Sequence, residues 1–347
     1  MNSPKTLSGM NMNGQTRRAT TKLPTLLPLR ELTGVGALAV LWVVLASMAP
    51  GFASLANVGN VMSQSTFLLV LSVGQMLVIV TRGFDIAVGP VAILASIIAA
   101  QTALRASGMG GTGDFAAIGA AVAVGTVFGA INGYLVAYRR IEPVIVTLGT
   151  ALVARGLATA GSGGADALML PSSSHLHTLA YQSWFGVPAL TACALPVLIA
   201  AWWLAMRTPL GRWFYMIGSN ADAAGLVGVP VRRAGMTAYA LCGAFAGAAG
   251  ILLLARSGSA VAVDGNGMEM QSIAACVIGG ISLTGGRGRV WQAVVGALFI
   301  QMLLNGLNLT GASPFMSEWV LGSIIVVCGA IDYLLRQLRR LRPPPGA

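Results

Sequence analysis

Long apolar runs, interrupted by glycine and separated by short polar loops, dominate the chain. Ten segments stand out: 32–50, 61–81, 90–104, 115–137, 143–160, 190–206, 237–255, 271–284, 290–306 and 317–335. A helix needs about 20 apolar residues to cross a bilayer core. The segments at 90–104, 271–284 and 290–306 are shorter and broken by Gly, which predicts broken or re-entrant elements. Backbone of that kind is tolerated at membrane depth only where protein or water satisfies it. The expected fold is an all-α polytopic transmembrane helical bundle. Its membrane domain runs over 32–335, between a disordered polar tail at 1–31 and a basic tail at 336–347.

Composition supports this pattern. The chain is 56% hydrophobic and 9% charged, where soluble domains carry about 25% charged residues. So much apolar surface would drive association in water. The 45 glycines suit close helix packing in lipid. Cys193, Cys242, Cys276 and Cys328 lie singly in apolar stretches and form no metal-like cluster. Basic Arg17, Arg18, Lys22 and Arg30 precede the first apolar run, as in a signal peptide. That basic region is too long, and Pro50 would follow the cut, so a retained first span is expected.

The net charge of +11 does not indicate nucleic acid, because the sequence shows no aromatic-laced basic groove and the positive charge sits in loops between apolar spans. Anionic headgroups explain it better. With the N-terminus in the cytoplasm and ten alternating spans, eighteen of the 21 basic residues fall on the cytoplasmic side. Arg105, Arg155 and Arg256 fall in or near the outer side. This bias predicts a multi-pass protein of the cell inner membrane with both termini cytoplasmic.

Polar residues within the spans are candidates for chemistry. Asp85 follows the charge-free stretch Gln64–Thr81, with Arg82 as a natural partner three residues earlier. It is either a gate or solute-contacting acid, or a residue that shapes a re-entrant turn. Gly83 and Gly89 make such a turn easy, and Pro90 suits the first turn of the next helix. Gln75, Asn132, Gln301 and Asn305 either line a pathway for a hydroxyl-rich solute or hold helices together. His175 and His177 lack the further ligands that a metal needs. Asp264, Glu269 and Glu318 form an acidic set near the outer side, suited to a soluble partner or to solvent. The run Gly83–Gly89 also echoes Gly280–Gly286, as in transporters with internal repeats.

The inner loop at 207–236 is the most informative. Ser219-Asn220-Ala221-Asp222 can cap and open a short helix, which Gly228 and Pro230 stop. Here the run Gly211-Arg212-Trp213-Phe214-Tyr215-Met216-Ile217-Gly218-Ser219-Asn220, continuing to Val229, resembles the G-R-x-x-Y-A-x-G-x-N-x-x-A-A-x-x-x-G-I run of ribose-type sugar ABC permeases. Ala274–Arg289 is similar to their A-A-V-V-L-G-G-T-S-L-x-G-G-x-G run, Asn305–Leu309 matches N-G-L-N-L, and Thr81–Gly89 resembles T-G-G-I-D-L-S-V-G. The likeness covers about 35–335. Arg82, Phe84 and Pro90 depart from the usual Gly, Ile and Ser, which puts the turn and the solute in doubt.

The resemblance implies a permease subunit that works with a second permease copy, a cytoplasmic ABC ATPase and an extracytoplasmic sugar-binding protein. Asn220, Ala223, Ala224 and Gly228 would form the coupling element that meets the ATPase. The outer loops, including 256–270, would meet the binding protein. The chain has no G-x-x-x-x-G-K-[ST] run, so ATP chemistry is expected in a partner, and no cofactor or catalytic residue is expected here. Branched-chain amino acids, nucleosides and polyols are alternative solutes. An ion-coupled secondary transporter is the rival mechanism, disfavoured by the scarcity of acids within the spans.

Overall fold

The computed structural model describes residues 29–107, 111–262, 267–313, 315–324, 326–327 and 330. The expected tails at 1–31 and 336–347 fall almost wholly outside these residues, as do Cys328 and Asp264. The chain forms α1 (Leu29–Met48), α2 (Leu55–Val80), α3 (Val88–Arg105), α4 (Gly111–Ala137), α5 (Pro143–Gly161), α6 (His175–Leu179), α7 (Ala189–Arg207), α8 (Pro209–Ser219), α9 (Ala221–Leu226), α10 (Val231–Ser257), α11 (Met268–Ile278) and α12 (Val290–Leu309). Residues 315–324 are also helical. The protein is thus an all-α polytopic bundle, and each expected segment overlaps a helix: 271–284 is helical only to Ile278, 317–335 lies partly outside the described residues, and 290–306 is unbroken, contrary to expectation. Among the described residues, α2, α3, α4, α5, α7, α10 and α12 are each long and apolar enough to cross a membrane.

Helix packing follows from side-chain size. In its most apolar stretch α2 is 89% buried, against 28% for α4 and α5, so α2 is an axis and the other two are rim helices. On α4 Phe115, Val127 and Ile131 are exposed, and on α7 Ile199 and Trp203, as on a lipid-facing surface. On α4 the buried residues include a stripe of Gly113, Ala117, Ala121, Gly125, Gly129 and Gly133, one every four positions. A Cβ on Gly125 or Gly129 would overlap backbone atoms of α10 at Gly243 and Tyr239. The two backbones therefore touch directly, which is how helices associate where lipid removes the hydrophobic drive between them.

Two helices, α3 and α11, begin inside the bundle. After Val80 the chain runs non-helically through 81–87 before α3 begins. Gly89, at the start of α3, lies against Met268 and Glu269, at the start of α11. Near the other end of α3, Gln101 donates to the Gly161 carbonyl, at the end of α5. Twelve residues of helix separate Gly89 from Gln101, a rise of about 18 Å. The N-termini of α3 and α11 thus meet deep within the bundle. Pro90 sits in the first turn of α3, as expected.

The packing has an internal correspondence. α3 packs on α4 and α10, while α11 packs on α12 and α2; α4 packs on α10, and α12 on α2. The units α2–α4 and α10–α12 therefore match, with α2 and α10 exchanging places. The counterpart of the turn at 81–87 is the chain between α10 and α11. The Gly280–Gly286 run lies between α11 and α12, so its echo of Gly83–Gly89 is no repeat. The two turns instead meet at one end of the bundle, where the Gly286 amide donates to the Val80 carbonyl at 2.8 Å.

The opposite end is closed by the loop after α5. Buried Asp114 accepts from the Ser174 hydroxyl at 2.6 Å and the His175 amide at 2.8 Å, which docks α6 on α4. The strand pair β1 (Leu168–Met169) and β4 (Ser259–Ala260) ties this loop to the end of α10. The hairpin of β2 (Ser183–Trp184) and β3 (Val187–Pro188) then leads into α7. These two-residue pairs were not expected in an all-α chain. They satisfy loop backbone without altering the class.

Gly129→Val should overpack the α4–α10 contact at a cost of about 1–3 kcal/mol or more. Gly119 on the same helix has open space around it, so Gly119→Val should be neutral. Thermal unfolding in detergent will separate the two variants, and equal midpoints would contradict this account of the packing.

Candidate functional site

Three chain segments converge at the end of the bundle that carries α9. The first is the end of α2 with Thr81 and Arg82, the second joins α8 to α9, and the third is the turn at Gly285–Gly286. Thr208 caps α8, its hydroxyl accepting from the Gly211 amide at 3.2 Å, and Pro209 begins the helix. Asn220 ends α8 and opens α9: its amide donates to the Met216 carbonyl at 3.0 Å, and its side chain accepts from the Ala223 amide at 3.0 Å. Gly228, at φ 85°, supplies the left-handed turn that ends α9. The short helix expected between Asn220 and Gly228 is therefore present.

The junction is built on contacts that only glycine permits. A Cβ on Gly218 would overlap the Val80 carbonyl and the Gly286 amide. Arg82 lies at φ 68°, left-handed backbone that disfavours any residue with a Cβ. This is where the resembling family carries Gly. The Arg82 side chain offsets the strain: Nε donates to the Gly218 carbonyl at 2.6 Å and Nη2 to the Ser219 carbonyl at 2.7 Å. These are carbonyls at a helix C-terminus, where a cation is favoured. On the other flank, the Tyr215 hydroxyl donates to the Gly288 carbonyl at 2.8 Å. Burial pushes the Tyr215 phenol up to about 12, with the Arg289 guanidinium pulling it back in part, so it is a standing donor at neutral pH.

The expected Arg82–Asp85 partnership does not form. Arg82 points to α8, while Asp85 turns inward and its Oδ1 accepts from the Ala87 amide at 2.9 Å. The side chain lies beside Asn132 of α4 and Cys242 of α10. Tyr239 closes this pocket, donating to the Phe84 carbonyl at 3.3 Å. A Cβ on Gly83 would strike the same phenol. Gln75 on α2 joins the group through Cys242, whose thiol faces its Oε1 at 3.9 Å. Asp85, Gln75 and Asn132 thus gather where α2, α4 and α10 meet, all at most 2% exposed. Asn305 lies apart on α12, accepting from the Asn57 side chain at 2.9 Å and so joining α12 to α2. Gln301 is buried one turn earlier on α12. In this conformation all five side chains pack between helices.

Asn220, Ala223 and Ala224 line an open groove of about 390 Å³ with Tyr215, Met216, Ser219 and Val227. Leu226 is 90% exposed and Val227 69% exposed. The sequence reading missed these two: a large apolar pair at the end of a short helix of small residues was the signal. It also missed the position of Glu269, assigned there to an outer acidic set. Glu269 is buried at the start of α11, and its Oε1 accepts from Arg155 of α5 at 2.7 Å. His175 and His177 lie in the closing loop, His177 against the Tyr181 ring at 5.7 Å. Among the described residues no group of three potential metal ligands occurs.

A multi-pass bundle with broken helices, and with a capped, exposed helix presented at one end, has the form of the membrane component of a transport system. Residues 57–329 match the family described as the branched-chain amino acid transport system permease component, and the chain belongs to that family. It is 34% identical over 311 residues to the ribose import permease protein RbsC of Escherichia coli K12, covering 88% of this chain and 94% of that protein. It is 37% identical over 315 residues to the autoinducer 2 import system permease protein LsrC of Klebsiella pneumoniae, covering 91% and 90%. With the D-allose transport system permease protein AlsC of E. coli it shares 32% identity over 300 residues, covering 86% and 90%. No solved structure matches.

Arg82→Ala should lose both carbonyl bonds and keep the left-handed strain, lowering stability by about 1–2 kcal/mol. Arg82→Gly loses the same bonds but relieves the strain, so it should stay within about 1 kcal/mol of the parent. Equal losses in thermal unfolding would show that the backbone at 82 is not strained.

Proposed function

We propose that this chain is the membrane-spanning permease subunit of an ATP-binding-cassette importer that moves a sugar delivered by an extracytoplasmic binding protein. The observation that carries this reading is the capped α9, held to the bundle by Arg82 and Tyr215 and exposing Leu226 and Val227 beside an open groove. A partner that pushes on α9 moves α8 and the broken α2–α3 turn with it. The family membership and the ribose and D-allose relatives support import of a sugar over the other solutes of the family.

In this reading the α9 end is cytoplasmic and the β2–β3 hairpin end faces outward, with both termini inside an inner membrane. Asn220, Ala223, Ala224 and Gly228 present the surface that the ATPase engages. Asp85, Gln75 and Asn132 form a gate below the broken turn, and Gln301 and Asn305 hold α12 in place as it moves. A second permease copy completes the membrane unit, with lipid around the rim. ATP chemistry belongs to the partner.

Uptake should require ATP, the ATPase and a binding protein when the complex is reconstituted in vesicles. Leu226→Asp places a charge in the exposed apolar contact. It should cut co-purification of the ATPase at least tenfold while the permease still unfolds at the parent temperature. Uptake driven by an ion gradient without ATP, or undiminished association of Leu226→Asp, would refute the reading.

A further inference from the structure

The Arg155–Glu269 pair lies where a charge pair is least expected. Glu269 stands at the N-terminus of α11, against Gly89 at the N-terminus of α3, about 18 Å of helix from Gln101. That is near the middle of a bilayer core of about 30 Å. The positive ends of two helices converge on its carboxylate, which favours a negative charge there. Glu269 is 6% exposed, and its Oε2 has no hydrogen-bond partner.

Arg155 is different. Its side chain is 44% exposed on α5, among the open positions Leu148, Leu152 and Thr159. The 2.7 Å contact to Glu269 holds the guanidinium at the level where α3 and α11 begin. A half-exposed guanidinium facing hydrocarbon at this depth is costly. The face of α5 that bears it therefore does not belong to lipid. Beside it Gly149 and Gly156 have nothing near their missing side chains, which leaves open space along the helix.

We propose that Arg155, held by Glu269, lines the water-filled solute pathway and donates hydrogen bonds to a polyhydroxylated solute at mid-membrane. The inference rests on the sugar-import reading and gives it a site. The opposite wall of the pathway comes from the second permease copy. Glu269 is the positioning residue: the two helix ends fix it, and it orients the guanidinium. The solute-contacting group is Arg155. A neutral polyol suits this pair, since its hydroxyls accept from the guanidinium without displacing the carboxylate.

The experiment uses the assembled complex in vesicles. In the first arm, Arg155→Cys is exposed to a membrane-impermeant cationic methanethiosulfonate. It should react at least tenfold faster than the rim variant Ile199→Cys and above the background of the native cysteines. Equal, slow reaction would place the residue in lipid or in a dry contact and overturn the proposal.

The second arm replaces the pair by Arg155→Leu together with Glu269→Leu. Removing both charges together leaves no unpaired charge at Glu269, so the double variant should fold and unfold like the parent. ATP-driven uptake of D-ribose or D-allose should fall more than tenfold, and Arg155→Lys should retain part of it. Uptake at the parent rate by the double variant would show that the pair only supports the fold, and would overturn the proposal. A parent complex that takes up neither probe would refute the sugar reading. The labelling arm would still decide whether Arg155 meets water.

Discussion

The contact between the Val80 carbonyl, Gly218 and Gly286 is the constraint on which the working parts depend. It brings three distant segments to backbone distance, and a single methyl group on Gly218 would separate them. The Gly286 amide bonds Val80, Arg82 bonds the carbonyls of Gly218 and Ser219, and Tyr215 bonds Gly288. Each bond spans segments that are far apart in sequence. Small residues at the centre and charged or phenolic donors around them make a compact, hydrogen-bonded knot. A knot of that kind resists being sheared one strand at a time.

Just past the knot, the chain faces the problem of polar backbone in an apolar setting. From Thr81 to Ala87 it is not helical, so its amides and carbonyls need partners from elsewhere. The Arg82 and Gly83 amides use carbonyls of the last turn of α2, the Ala87 amide uses Asp85, and the Phe84 carbonyl uses Tyr239. Asp85 is thus a backbone substitute first, whatever further role it has. Seven residues separate Arg82 from Gly89, which touches Glu269. A displacement of α8 therefore has a short, continuous route from the end of the bundle to its middle. It runs through hydrogen-bonded backbone instead of loose side chains.

Much of this was legible in the sequence, for definite reasons. The ten segments emerged because lipid demands long apolar runs, and α9 because Asn220 and Gly228 are specific signals for a cap and a stop. The direction of Arg82 was not legible. Spacing paired it with Asp85, three residues on, but that pairing presumes helical backbone, and φ at Arg82 is 68°. The partners it does find lie 136 and 137 residues away. Glu269 was misplaced for a similar reason. α11 starts inside the bundle, so a residue that follows a loop in sequence lies at mid-depth in space. The small-residue stripe Gly125-x3-Gly129-x3-Gly133 was present to be read, and only its partner on α10 required the structure.

The size of α9 explains why the knot must be so dense. Six residues are far too few for a helix to stand alone in water, where about 12–15 are needed even for favourable sequences. Within α9 only Ala224 is buried. Its shape is imposed from its ends, by the Asn220 cap and by the Val229 amide bonded to the Ala224 carbonyl at 3.1 Å. A load on Leu226 or Val227 would unwind so short a helix if its base could yield. Against this, the end of α8 is bonded by the Arg82 guanidinium and by backbone that glycine lets into contact. Force then has to move α8 as a body, and α8 cannot move without the turn that begins at Arg82. In relatives that resemble this chain but carry Gly at that position, backbone contact alone would make this connection. Here the arginine adds a second connection at the cost of a strained residue, which ties the broken turn to the end of α8 by two further hydrogen bonds.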